Sequence, residues 1–319
     1  MMRFLTCGTL AACVLVVLGP AGRQQPTFRG GRESVRVFVT VTDRDGRLVT
    51  TLTQDNFDVR DDGKSQPITG FDNSPQPIRL IVLLDVSTSM EGNVPLLRAA
   101  AAQLFSRLRE EDVARVGTFG KEITISPAFT HDVAELNAAL PTAIAPDAPT
   151  PLWRAIDEAM DAFGDADDRR KVILVLSDGK DTGLTGPLSV KHRPASQAEA
   201  IDRARRDDVM VYGVGMHSRS TRSMPPGFGP AGLQESLLTN LPDPGLARVA
   251  EEAGGGYIEI RAGQDLGAAF AGVADELHSQ YLLAFAPPKR DGKVHDISVR
   301  ATQGGLKPRA RKGYVAPKE

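Results

Sequence analysis

Cysteine is almost missing from this chain: of 319 residues only Cys7 and Cys13 are thiols, and both lie in one apolar stretch at the amino terminus. Removal of that stretch would leave none, which excludes a disulfide framework, a thiolate nucleophile and a cysteine-ligated zinc site. Charge of one sign is also missing. Thirty-eight basic residues stand against forty acidic ones, a net charge of −2, so no electrostatic footprint for nucleic acid exists. The short basic stretch Arg309–Lys312 reads as a solvated face. Neither Gly-x-Ser-x-Gly nor Gly-x-x-x-x-Gly-Lys-Ser/Thr occurs, which leaves a serine hydrolase or a P-loop ATPase without support. The five histidines lack zinc-site spacing and read as surface residues.

Only one apolar run is long, from Leu5 to Leu18, with Arg3 before it and Gly19, Pro20, Ala21 and Gly22 after it. It has the length of a secretory signal core and is too short for a comfortable membrane anchor. Residues 1–21 are therefore expected to be a signal peptide, and the protein to be exported: periplasmic, cell-surface or secreted. Membrane attachment would require the segment to be retained or lipidated. The remaining composition is that of a globular chain able to bury a full core.

Residues 32–76 show strand-like alternation, as in "VRVFVTVTD", punctuated by Asp-Gly turns. From residue 77 onward, apolar strand-like runs alternate with amphipathic helical ones. "RLIVLLDV", "KVILVLSDG" and "VMVYGVGM" read as buried strands. "PLLRAAAAQLFSRL", "TPLWRAIDEAMDAF", "SQAEAIDRARRD", "PGLARVAEEAGG" and "DLGAAFAGVADELHSQ" read as helices, the second with Thr150 at its N-cap and Pro151 at N1. Trp153 belongs to the core. Such alternation predicts an α/β fold with a doubly wound, mostly parallel, Rossmann-like sheet. Residues 281–319 return to β patterning, and the two β segments at the chain ends are expected to pack together with the α/β domain inserted between them. The run 217–241 reads as a long loop, and Gly254–Gly256 as a helix C-cap and turn.

In doubly wound sheets, ligands collect at the carboxyl ends of the strands. Asp85, Ser87 and Ser89 follow one buried strand and Asp178 follows another, with Thr150 opening a helix between them. All five offer oxygen, the donor that a hard divalent cation such as Mg²⁺ requires. Each motif alone is as well explained by a cap or a turn; their joint occurrence in order favours a site. A phosphohydrolase with Asp85 as nucleophile is the enzymatic alternative. Its chemistry favours a second acid two residues on, where Ser87 stands. A structural envelope protein with a vestigial site is the third reading.

"DVSTSM", "TPLWRAI" and "LSDGKDT" resemble the Asp-x-Ser-x-Ser motif, the threonine loop and the Asp-Gly loop of von Willebrand factor type A domains, over residues 77–280. The flanks "VRVFVTVTDRDGRLV", "FDVRDDGKSQPITGF" and "ISVRATQGGLKPRARKGY" resemble exported bacterial proteins related to that family. The resemblance implies a metal-ion-dependent adhesion site. Asp85, Ser87, Ser89, Thr150 and Asp178 would hold Mg²⁺ or Mn²⁺, and a protein partner would supply a Glu or Asp carboxylate to the metal. No catalytic residue is implied. The Thr150 loop, "APDAPT", departs from the glycines common among relatives. Asp147 and Asp181 read as solvated loop carboxylates or as outer supports of the metal shell.

Overall fold

The computed structural model describes residues 34–318 apart from 165–166, 168, 179, 184–192, 194, 218–242 and 262–263. The expected signal segment, and nearly all of the expected loop 217–241, lie outside the described residues. Fourteen strands occur among those described. The first four are β1 (Val35–Thr42), β2 (Phe57–Asp61), β3 (Lys64–Gln66) and β4 (Ile68–Asp72). The next six are β5 (Ile78–Asp85), β6 (Val113–Phe119), β7 (Ile123–Ile125), β8 (Arg170–Ser177), β9 (Val209–Met216) and β10 (Tyr257–Ile260). The last four are β11 (Tyr281–Phe285), β12 (Val294–Ala301), β13 (Lys307–Arg309) and β14 (Gly313–Val315). The helices are α1 (Val94–Phe105), α2 (Val133–Ala138), α3 (Leu152–Asp161), α4 (Gln197–Asp207), α5 (Pro244–Glu252) and α6 (Leu266–Leu277).

The central sheet has the order β10-β9-β8-β5-β6-β7 and is parallel except for the edge strand β7. A parallel strand covered on both faces is apolar along its covered length, which is why Leu80–Leu84 reads as an unbroken apolar run within β5. Side chains alternate across a strand, so β5 feeds two cores. Leu80, Val82 and Leu84 pack with Leu97 and Leu104 of α1 and Phe270 of α6. Ile81 and Leu83 face Leu152 and Ile156 of α3, Ile201 of α4 and Val249 of α5. From β5 the chain moves outward to β6 and β7, then returns to lay β8 on the other side of β5. The winding direction therefore reverses between β5 and β8.

The two ends of the chain meet in two further sheets, ordered β13-β1-β11-β4 and β14-β12-β2-β3. Val37, Val39, Phe57 and Val59 share one apolar cluster with Leu283, Phe285, Ile297 and Tyr314, residues more than two hundred positions away in sequence. Tyr281 fixes the entry of this cluster: its hydroxyl donates to the carbonyl of Val49 (2.8 Å) and accepts from the amide of Leu52 (2.9 Å).

The helix α2, capped by the carboxylate of Asp132, escapes the periodicity reading because it is a turn and a half long. The basic stretch 309–312 departs from expectation more sharply. Arg309 pairs with Glu276 at the end of α6, Arg311 with Asp208 (2.6 Å), and Lys312 with Glu251 (2.5 Å). These pairs fasten the carboxyl-terminal strands to the α/β unit, because the chain passes back over α4, α5 and α6. The Gly254–Gly256 turn allows that passage: a Cβ on Gly254 would stand 2.4 Å from the amide nitrogen of Arg311, and its φ of +82° suits glycine.

Glu276 is the hub of this junction, accepting from the hydroxyls of Thr40 (2.9 Å) and Tyr212 (2.5 Å) as well as from Arg309. Glu276→Ala takes away the acceptor of the buried Tyr212 hydroxyl and the partner of Arg309, and should lower the unfolding free energy by about 2 kcal/mol in urea titrations. A loss below about 0.5 kcal/mol would mean that the junction contributes little.

Candidate functional site

Asp85 is the last residue of β5 and Asp178 follows the last residue of β8, so both carboxylates lie at the reversal point of the sheet. Asp85 has no exposed surface and Asp178 has 1%. The Asp85 carboxylate is held on both oxygens: Oδ1 accepts from the amide of Ser87 (2.8 Å) and Oδ2 from the hydroxyl of Ser177 (2.5 Å). Those contacts fix its orientation without neutralising it.

The serines continue the arrangement. After the aspartate the chain turns through a single 3-10 turn, Thr88–Met90, which brings the hydroxyls of Ser87 and Ser89 to 2.9 Å from each other. Ser89 donates to Asp178 Oδ1 at 2.6 Å. Asp178 Oδ2 is buried and has no hydrogen-bond partner among the described residues. An orphaned carboxylate oxygen is costly in a protein interior and calls for a donor or a cation.

Thr150 is buried but makes no direct hydrogen bond to the other four among the described residues. Its loop is laced to theirs through the backbone. The Thr88 hydroxyl accepts from the amide of Ala148 (2.9 Å), while the Thr150 amide donates to the Thr182 hydroxyl (2.8 Å) and its carbonyl accepts from the Thr182 amide (3.0 Å). The expected N-cap role of Thr150 is corrected: Pro151 occupies that position of α3 and offers no side-chain acceptor. The acceptor comes from the next loop, where the half-buried Asp181 takes the amides of Trp153 (3.4 Å) and Gly183 (3.1 Å). Asp181 is thus a helix-end acceptor and not a solvated carboxylate, whereas Asp147 is exposed. Trp153 packs in the core as expected.

Electrostatics set the chemistry of the pair. Burial, aided by the nearby charge of Asp178, raises Asp85 from 3.8 to about 7 against the hydrogen bonds from Ser177 and Ser87. Burial also raises Asp178, and the Ser89 hydroxyl only partly offsets it. Two desolvated carboxylates with two hydroxyls and an orphaned oxygen form an all-oxygen donor set. Such a set fits a hard divalent cation, whose charge would repay the desolvation of both acids.

The histidine reading needs two corrections. His278 Nε2 lies 2.7 Å from the buried carboxylate of Asp112, and His295 is only 3% exposed, set among Asp61, Asp62 and Asp291. Asp61 and Asp62 stand 234 and 233 positions before His295, and the pairing of β2 with β12 brings them together. No spacing rule could have found that cluster.

A raised carboxyl pKa means that the folded state holds the proton more tightly than the unfolded one. The contribution of Asp85 is complete below its unfolded value of 3.8 and is lost as pH rises through about 7. In chelator, the protein should therefore lose about 1 kcal/mol between pH 6 and pH 8 from this residue. Thermal melts at both pH values check this: Asp85→Asn should flatten the dependence, and an equal slope in wild type and variant would contradict the assignment.

Residues 80–226 match the family model for the von Willebrand factor type A domain. No curated protein matches the chain. Similar solved structures include a von Willebrand factor type A protein from Catenulispora acidiphila, with 12% identity, 92% of this chain and 76% of that chain covered, and a TM-score of 0.47. They also include the BatB protein from Bacteroides thetaiotaomicron, with 16% identity, 63% of this chain and 97% of that chain covered, and a TM-score of 0.45. An aerotolerance-related membrane protein from Bacteroides fragilis has 16% identity, with 63% and 98% of the two chains covered and a TM-score of 0.43. The sequence match and the doubly wound sheet together establish that the chain carries a von Willebrand factor type A domain.

Proposed function

We propose that the protein is an exported, non-enzymatic binding module that captures a protein partner through a divalent cation, Mg²⁺ or Mn²⁺. Asp85, Ser87, Ser89, Asp178 and Thr150 would hold the ion directly or through water, and a Glu or Asp of the partner would complete its shell. The observation that carries this reading is the buried Oδ2 of Asp178, which has no hydrogen-bond partner among the described residues and lies next to hydroxyls already drawn together. A cation held by only two protein carboxylates keeps positive charge to offer an outside carboxylate. When bound, the ion supplies that electrostatic attachment point. The protein's own residues orient the donors and exclude water from beneath them, since Asp85 and Asp178 sit above apolar clusters on both faces of the sheet.

A phosphohydrolase finds less support. Asp85 has no exposed surface and both of its oxygens are engaged, a poor arrangement for a nucleophile that must reach phosphorus. The apolar segment Leu5–Leu18 supports export, and the shared sheets of residues 32–76 and 281–319 support a separate β module that carries the binding domain.

Calorimetric titration of Mg²⁺ and Mn²⁺ into the chelated protein tests the reading. One saturable equivalent is expected, weakened at least tenfold in Asp178→Asn while the circular dichroism stays native. Equal binding in wild type and variant, or none in either, would overturn it.

A further inference from the structure

A second group of ionisable residues lies in the β module, in sheet β14-β12-β2-β3. Asp61 ends β2, Asp62 begins the turn to β3, and His295 is the second residue of β12. One donor atom from each lies within 4.8 Å of the others. Nδ1 of His295 stands 3.1 Å from Asp61 Oδ1 and 3.2 Å from Asp62 Oδ2. Ligands bound tetrahedrally at about 2.0–2.1 Å from a zinc ion stand about 3.3 Å apart, close to both values.

The surroundings orient each of these atoms from behind. Nε2 of His295 faces Asp291 Oδ1 at 3.2 Å; with an ion bound, that carboxylate would hold the Nε2 proton and free the Nδ1 lone pair for the metal. Asp291 Oδ1 is itself fixed by the amide of Lys293 (2.9 Å). The hydroxyl of Tyr314 donates to Asp61 Oδ2 (3.2 Å), and the amide of Asp296 donates to Asp62 Oδ1 (3.1 Å). Every inward-facing atom thus belongs to a group whose other polar atom is already anchored. That is the pattern of outer-shell support around a metal ligand set. Asp61 and His295 are buried, at 2% and 3% exposure, while Asp62 opens to solvent and gives an entry path.

We propose that Asp61, Asp62 and His295 form a second cation site, of one imidazole nitrogen and two carboxylates, for a borderline divalent ion such as Zn²⁺. The nitrogen donor sets it apart from the all-oxygen site at Asp85 and Asp178, which suits Mg²⁺ or Mn²⁺. An ion there would staple the β2–β3 turn to β12, joining segments from opposite ends of the chain.

The test uses the full chain, stripped with chelator and kept in excess Mg²⁺. Zn²⁺ is titrated by calorimetry, and Co²⁺ by its visible absorption, into wild type, Asp62→Asn and His295→Gln. Asp62 is half exposed, so its variant should retain the fold even if His295→Gln does not, with circular dichroism as the check. The expected result is one more zinc equivalent in wild type than in Asp62→Asn, or binding at least tenfold weaker in the variant. A nitrogen-containing cobalt spectrum should be lost in parallel. Identical zinc binding in wild type and folded Asp62→Asn would overturn the proposal and assign the cluster to a proton shared between His295 and its carboxylates. Absence of zinc binding in wild type would overturn it as well.

Discussion

A carboxylate removed from water at the end of a buried strand constrains everything around it. Asp85 could not end the buried apolar run Leu80–Leu84 unless both oxygens were held, and the Ser87 amide and the Ser177 hydroxyl hold them. Those partners come from the loop that follows β5 and from the neighbouring strand β8, so the carboxylate forces two segments into register. Ser89 then reaches Asp178, and the two loops cannot separate without exposing or orphaning more polar groups. The charge that burial disfavours is the reason the site has a use for a cation.

The winding of the sheet explains why this happens between β5 and β8. Connections from these two strands lead to opposite sides of the sheet, and such a reversal point is where folds of this kind receive a ligand. Beneath that crevice the sheet is apolar on both faces, with α1 and α6 on one side and α3, α4 and α5 on the other. A rigid floor of this kind holds donors still at little entropic cost. The β module attaches through Arg309, Arg311 and Lys312 and through the hub at Glu276.

Much of this was legible in the sequence because it is local. The run Ile81–Leu84 announces a strand covered on both faces, and Asp85 at its end breaks the pattern where the fold does. The alternation of apolar strands and amphipathic helices gives the sheet class, and Trp153 falls on the buried face of its helix. What escaped is non-local. The Asp61, Asp62 and His295 cluster depends on strand pairing across most of the chain, and the anchoring of Arg309–Lys312 depends on acids in α4, α5 and α6 or just after them. Thr150 escaped in a different way: a threonine before a proline at a helix start looks like a cap, yet the Trp153 amide of α3 finds its acceptor in Asp181, 28 residues further on.

The central claim is that Asp85, Ser87, Ser89 and Asp178 surround a divalent cation at the reversal point of the sheet. Crystals of the full chain grown with Mn²⁺, measured for anomalous scattering at the manganese edge, address it most directly. The account predicts an anomalous peak within bonding distance of the Ser87 and Ser89 hydroxyls and on the Asp178 side of the pair. Ordered loops with no peak there, or a manganese ion bound only elsewhere, would contradict it.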